Sequence, residues 1–237
     1  MHRFFADERG LQDGVAFLGE EDSQHALRVL RLEPGEQIEL VCPPERFLAR
    51  IEGVEDGVVR VQAMEPLRST EARAQVTLYQ GLPKAEKLEF LAQKLTELGV
   101  ARLTPVRMAR SVAKGEGDRR AERLERIARE AVKQCRRARV MEISPVLSWK
   151  EALSDMAKRE VMIVPWEDAS STRMRDLFAA FPQARDIGIL VGPEGGISPE
   201  EISQCPARPV TLGPRILRAE TAAVTAAALA MGLWGDV

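Results

Sequence analysis

Residues 187–191 form an apolar run that stops abruptly in Gly192-Pro193-Glu194-Gly195-Gly196, and Glu200-Glu201 follow shortly after. Such a run reads as a core strand, the glycines and proline as its turn, and the acidic pair as a helix start. Two other apolar runs end in the same way. Residues 161–164 run into Pro165-Trp166-Glu167, and 209–212 into Gly213-Pro214-Arg215. Helical patterns lie between such runs, and this alternation predicts an α/β domain with a largely parallel sheet.

The same rhythm extends back to about residue 74. Strands are expected at 76–82 and 103–106. Residues 84–98 predict a helix with Leu88, Leu91, Leu95 and Leu98 on one face, stopped by Gly99. A basic helix over 118–137 carries Leu124, Ile127, Ala131 and Cys135 as its apolar stripe. The closing helix, 219–233, is so rich in alanine that it must pack closely on its neighbours.

Residues 1–68 read differently. Alternating segments at 36–41 and 58–63, punctuated by Pro34-Gly35, Pro43-Pro44 and Asp56-Gly57, predict short strands and hairpins. One helix interrupts at 21–30, with Ala26, Val29 and Leu30 on one side. This is the pattern of a small β-barrel. Residues 69–73 read as a linker, and 74–237 as the α/β domain.

Charge separates the chain into unlike parts. Residues 102–139 hold thirteen Lys and Arg against five Asp and Glu, a net of +8 in a chain of −2, so the remainder carries −10. A basic block on an acidic protein suits a phosphate-facing surface, although a solvated helix with (i, i+4) ion pairs also fits. Aromatics make up 5%, too few for rows of base-stacking rings. Cys42, Cys135 and Cys205 are scattered and the only imidazoles are His2 and His25, so no metal site is expected. The cysteine usage fits a reducing cytoplasm, and no membrane span is expected.

In an open parallel sheet, ligands bind outside the carboxyl ends of the strands. The three Gly/Pro-rich strand ends expose main chain with little side-chain cover, which suits a flat, polar ligand such as an adenine. Their glycines read as clearance for that ligand. No P-loop, GxGxxG or GxSxG pattern is present, and the α/β domain has no histidine for a Ser/His pair. Cys135 reads as core.

The motif GPEGGIS at 192–198, with LGPRILRAETA at 212–222, resembles the signature of the SPOUT class of RNA methyltransferases. More narrowly it is similar to the RsmE type, which methylates N3 of a uridine in 16S ribosomal RNA. MHRFF at 1–5, HALRVLRL at 25–32, GLPK at 81–84, Lys87, Lys94, TELGV at 96–100, Arg110-Ser111, Arg126, Glu130-Ala131 and QCRR at 134–137 extend the likeness over nearly the whole chain. Val140-Met141 departs from it, where relatives commonly have a proline. The resemblance implies a PUA-like β-barrel for RNA, then a SPOUT α/β domain whose three strand ends form a deep trefoil knot. It also implies a homodimer and a bent S-adenosylmethionine at the knot, with 16S ribosomal RNA, in the assembled small subunit, as substrate.

Under that resemblance the cofactor shell would be Pro165, Trp166, Gly192, Pro193, Gly195, Gly196, Leu212, Gly213, Ile216, Leu217, Thr221 and Ala222. Uridine N3 carries a proton at neutral pH, so something must remove it or stabilise the anion that forms. Arg218 is the candidate for bracing the RNA or that anion, because a guanidinium holds a phosphate or carbonyl in a fixed plane. Glu194 and Glu220 are the nearest carboxylates; the first can equally fix the turn, and the second can equally favour a helix N-terminus. Arg3, His25, Arg28, Arg31, Lys84, Arg110, Arg126 and Arg137 are the RNA-binding candidates, with Arg28 and Arg31 on one helical face. A non-catalytic RNA-binding or ribosome-assembly factor, or a methyltransferase acting on another RNA, are the competing readings.

Overall fold

A computed structural model describes residues 1–111, 118–169 and 171–236. The chain divides into two units, one of Met1–Glu71 with Arg136–Arg139, the other of Ala72–Cys135 with Val140–Val237. Part of the basic block, residues 112–117, lies outside the described residues.

In the first unit, β1 (Arg3–Phe5), β2 (Val15–Phe17), β3 (Gln37–Cys42), β4 (Glu45–Glu55) and β5 (Val58–Pro66) form one sheet in the order β1-β3-β4-β5-β2. Phe4, Leu18, Ile38, Leu40, Ile51, Val59 and Val61 make its core. The Asp56-Gly57 turn joins β4 to β5 with positive φ at both residues, as a tight hairpin requires. The path is open. Among the described residues its two edge strands meet at a single bridge, Ala6 to Leu18, with backbone bonds such as Asp7 N–H to Phe17 C=O, so the expected barrel is not closed by a ladder.

Helix α1 (Glu20–Gln24) passes directly into a π-helical segment, His25–Leu30. The wider winding changes which side chains face inward. Ala26 is buried, Leu27 and Leu30 pack on the core, and Val29, expected inside, is 66% exposed. Arg31 follows in the left-handed region with φ 56°, so Arg28 and Arg31 do not share the regular α-helical face their spacing predicts. At the other end of the unit, the Glu71 carboxylate accepts from the Arg137 guanidinium at 3.0 Å and from the backbone N–H of Ala138 and Arg139 at 2.7 and 3.1 Å. Glu71, read as linker, is an anchor for residues 136–139.

The second unit begins with β6 (Gln75–Gly81), α2 (Ala85–Glu97), β7 (Arg102–Arg107) and α3 (Asp118–Cys135). It continues through β8 (Glu142–Ile143), β9 (Leu147–Ser148), α4 (Trp149–Met156), β10 (Val161–Pro165), α5 (Met174–Ala180) and β11 (Asp186–Val191). Helix α6 (Pro199–Gln204), β12 (Arg208–Val210) and α7 (Ala219–Trp234) complete it. The strands form a parallel sheet in the order β12-β10-β11-β6-β7-β8, with β9 also on β7. Alternate residues feed two cores. Val76, Leu78, Ile163, Ile187 and Ile189 enter one, and Tyr79, Met162, Val164 and Leu190 the other. A sheet apolar on both faces must be covered on both, as a parallel α/β sheet is. In α7, Ala223, Ala226, Ala227 and Ala230 are fully buried, and their small side chains permit close approach to α2, β6 and β11.

One polar cluster lies in this framework. Tyr79 Oη donates to Asp155 Oδ2 at 2.6 Å, Arg102 pairs with the same carboxylate, and Arg159 bridges Asp155 and Asp186. Burial, with the bond to Asp155, pushes the Tyr79 hydroxyl upward. Burial works against the Asp155 anion too, but the Tyr79 bond and the two guanidinium groups outweigh it and hold the carboxyl below its usual range. Because the folded-state pKa is depressed, the stabilisation is complete at neutral pH and is lost as pH falls below about 4. Asp155→Ala is expected to cost about 2 kcal/mol in urea unfolding at pH 7, less than a fully buried pair because some water reaches the group, and the difference should shrink in acid.

Candidate active site

Strands β6, β7, β10 and β11 all end at the same edge of the sheet, so residues 82–84, 108–111, 166–173 and 192–198 gather there. The segment 211–218 between β12 and α7 joins them. Its placement is set by backbone pairing: Trp166 N–H donates to Val210 C=O, Thr211 N–H to Thr172 C=O, and Arg173 bridges to Thr211. The Gly213 N–H bonds to Thr211 Oγ1 at 3.1 Å, and φ of 114° there requires glycine.

The two segments enclose a cleft of about 970 Å³. Of the residues assigned to a cofactor from sequence, Pro165, Trp166, Leu212, Gly213, Ile216, Leu217 and Ala222 line it. Glu167, Arg173, Met174, Thr211 and Leu229 line it too, and they were not assigned to the cofactor from sequence. Ile216 is 86% exposed.

Gly192, Pro193, Gly195, Gly196 and Thr221 are not among the lining residues. The clearance that the glycines provide is taken up by the chain itself. A β-carbon on Gly192 would lie 2.7 Å from Ile197, and one on Gly195 would lie 3.0 Å from the Arg110 β-carbon. The buried Gln80 side chain donates to the carbonyls of Gly81 and Gly192 at 3.0 and 3.1 Å, seating the loop on the end of β6. Arg110 Nη1 donates to Gly195 C=O at 3.1 Å. Ser198 and Glu201 form a capping box that opens α6, and Glu201 Oε1 also accepts from Ala109 N–H at 2.8 Å. That Ser-x-x-Glu spacing is a readable signal for the buried glutamate.

Glu194 and Glu220 come together on one residue that sequence reasoning passed over as a site. Lys87 Nζ lies 3.1 Å from Glu194 Oε1 and 2.9 Å from Glu220 Oε2. The Glu220 contact is an ion pair, and that oxygen has no hydrogen-bond partner among the described residues. Pairing with Glu220 and then Glu194 raises the Lys87 ammonium above its ordinary range. For both carboxylates burial opposes ionisation, but backbone bonding and Lys87 prevail and hold them below the usual range. Arg218 adds to this at Glu220. Arg218 itself is exposed and stands at the N-cap of α7 with no side-chain capping bond.

The RNA-binding candidates divide by burial. Arg3 pairs with Glu39 at 2.9 Å and donates to the Arg137 carbonyl, and the Arg137 guanidinium is held by Glu71. Arg137 is buried and Arg3 nearly so, and both make these contacts within the first unit. His25, Arg28 and Arg31 are exposed on that unit, as are Lys84, Arg110 and Arg126 on the second. Part of the charge on α3 is neutralised locally, by Arg123 with Glu89 and Arg129 with Glu125. No group of His, Cys, Asp or Glu among the described residues is placed to hold a metal, and no described helix is long and apolar enough to cross a membrane.

Comparison with known proteins places this geometry. The model of a family described as an RNA methyltransferase domain matches residues 70–231. A Bacillus subtilis protein named ribosomal RNA small subunit methyltransferase E is 32% identical over 94% of this chain and 93% of its own length. A Mycobacterium bovis protein of the same name is 34% identical over 94% and 88%. Among solved structures, the enzyme of that name from Neisseria gonorrhoeae, bound to S-adenosylmethionine, is 30% identical with a TM-score of 0.83, covering 100% of this chain and 99% of its own. A Legionella pneumophila structure described as a methyltransferase with bound S-adenosylmethionine is 32% identical with a TM-score of 0.79, covering 99% and 98%.

Proposed function

This chain belongs to the ribosomal RNA small subunit methyltransferase E family, and we propose that it transfers the methyl group of S-adenosylmethionine to N3 of a uridine in 16S ribosomal RNA. The observation that carries the reading is the cleft between residues 165–175 and 211–217 at the carboxyl edge of a parallel sheet. Its volume of about 970 Å³ accommodates a nucleoside-sized cofactor, and its lining fits one. Leu212, Leu217, Met174 and Trp166 supply apolar surface for a ring, while Thr211, Glu167 and the main chain at 212–217 supply polar groups. When bound, the cofactor supplies an activated methyl group on a sulfonium. The protein then has to hold donor and acceptor in line and keep water out.

Arg218 stands next to the cleft residue Leu217 with its side chain exposed, where a guanidinium can brace the uracil as N3 loses its proton. Glu194 and Glu220 are ionised at neutral pH and therefore able to accept a proton, but their depressed pKa values make them weak bases. Stabilisation of the anion by Arg218 is thus the stronger contribution. The exposed cations of the first unit and of α3 support RNA contact, with the first unit as a PUA-like module over 1–68 and residues 74–237 as the catalytic domain. The succession β10, β11, β12, with β10 seated between the other two, supports a knotted carboxyl-terminal region. Exposed Ile216 and Leu229 at the cleft support a homodimer.

Two measurements test the proposal. Calorimetry should show S-adenosylmethionine binding to the purified chain, and absence of heat at millimolar cofactor would overturn the enzyme reading. Mass spectrometry of small-subunit RNA should show one N3-methyluridine lost on deletion of the gene and restored on complementation. Its persistence in the deletion strain would overturn the substrate.

A further inference from the structure

Lys87 occupies the third position of α2, in the first turn, where the helix macrodipole disfavours a cation. Its electrostatic compensation comes from elsewhere in the chain. Glu194 belongs to the loop after β11 and Glu220 to the first turn of α7, and both reach the same ammonium, at 3.1 and 2.9 Å. The three side chains are 20–27% exposed, so water weakens the pairs only in part. Two carboxylates crowded at one point repel without that nitrogen, and the tie between Glu194 and the helix start is then lost even though Gln80 and Arg110 still seat the loop. The charged group facing the cluster from a neighbouring segment is Arg218, two residues before Glu220, and Glu194 also accepts from the Lys84 backbone.

We propose that Lys87 is a positioning residue for methyl transfer: it draws the 192–196 loop and the start of α7 onto one point of α2 and thereby fixes where Arg218 stands relative to the cleft. The proposal rests on the methyltransferase reading above. Lys87 does not line the cleft, and in this proposal it acts through the two carboxylates it holds. Its effect is on geometry at the reacting centre, where a displacement of about 1 Å costs up to about a hundred-fold in rate.

The test compares wild type, Lys87→Met and Lys87→Arg for kcat and KM with small-subunit RNA and for S-adenosylmethionine Kd by calorimetry. Lys87→Met is expected to lower kcat by roughly ten- to a hundred-fold while cofactor Kd stays within about three-fold. Lys87→Arg, which keeps the charge and can still reach both carboxylates, is expected to recover most of the loss. An unchanged kcat in Lys87→Met, an equal loss in both variants, or a parallel loss of cofactor binding would each overturn the proposal. Should Lys87→Met fail to fold, Glu194→Gln and Glu220→Gln each remove one arm of the clamp. Both are expected to lower kcat with cofactor binding retained, and full activity in both would overturn it. A wild-type protein that neither binds S-adenosylmethionine nor methylates RNA would instead remove the underlying reading.

Discussion

Arg218→Ala should lower kcat for methyl transfer by about a hundred-fold and leave S-adenosylmethionine affinity within a few-fold. The expectation follows from how little else the side chain does. It is exposed, makes no capping bond, and stands outside the residues that line the cleft, while its backbone carbonyl still receives the Ala222 N–H at 2.8 Å. Truncation therefore removes charge beside the reacting base without loosening α7, and Tm should stay within about 2 °C. Arg218→Lys is expected to recover only part of the activity, because an ammonium cannot present two parallel donors in one plane. Steady-state assays with radiolabelled methyl donor, paired with calorimetry, decide the matter. Equal losses in turnover and cofactor affinity would make Arg218 a cofactor ligand instead.

The α/β half was legible because its strands are apolar on both faces and its helices carry long stripes. The signal at 76–82, 84–98 and 187–191 is therefore the signal of the core itself. Elements that carry less core were harder to read. Strands β8 and β9 are two residues each, and α4, α5 and α6 have eight, seven and six. Strand β4 is long, but register shifts at Leu48/Ala49 and Ile51/Gly53 break its alternation, so period-two reading loses it. The π-helical turn misplaced Val29 for a similar reason, since a stripe predicted at 3.6 residues per turn does not follow a wider winding.

The cleft was partly legible from its Gly- and Pro-rich main chain, whereas paired side chains were hidden. Gly213 and its neighbours announce an unusual backbone, and seven of the twelve proposed cofactor residues do line the cleft. Lys87 stands out in sequence only through the family likeness, and nothing local marks it as paired. A lysine on an amphipathic helix looks like any solvated residue until the fold brings two distant glutamates to it. Arg3 and Arg137 show the converse: arginines that look available in sequence are consumed by Glu39 and Glu71 once the first unit folds. Charge pairing across 60 or more residues, as between Glu71 and Arg137, has no local period to betray it.

Gly81→Ala should produce the second large effect, from packing alone. Gly81 ends β6, and a β-carbon there would lie 2.4 Å from Pro193 Cδ and 2.6 Å from Pro193 N. The Met108 sulfur, 2.8 Å away, can move, whereas the Pro193 backbone can yield only if the 192–196 loop lifts. Overpacking of this kind costs about 1–3 kcal/mol, or roughly 2–10 °C in Tm for a chain of this size. The loop carries Glu194, so its displacement also pulls one carboxylate from Lys87. Methyl transfer should consequently fall well below wild type even at temperatures where the variant is fully folded. Cofactor binding should suffer less, because the cleft is built from 165–175 and 211–217 and not from this loop. Thermal melts, calorimetry and turnover measured on one preparation separate the three effects. A Gly81→Ala protein with wild-type Tm and wild-type kcat would mean that the loop does not rest on the end of β6, and the placement of Glu194 on Lys87 would fall with it.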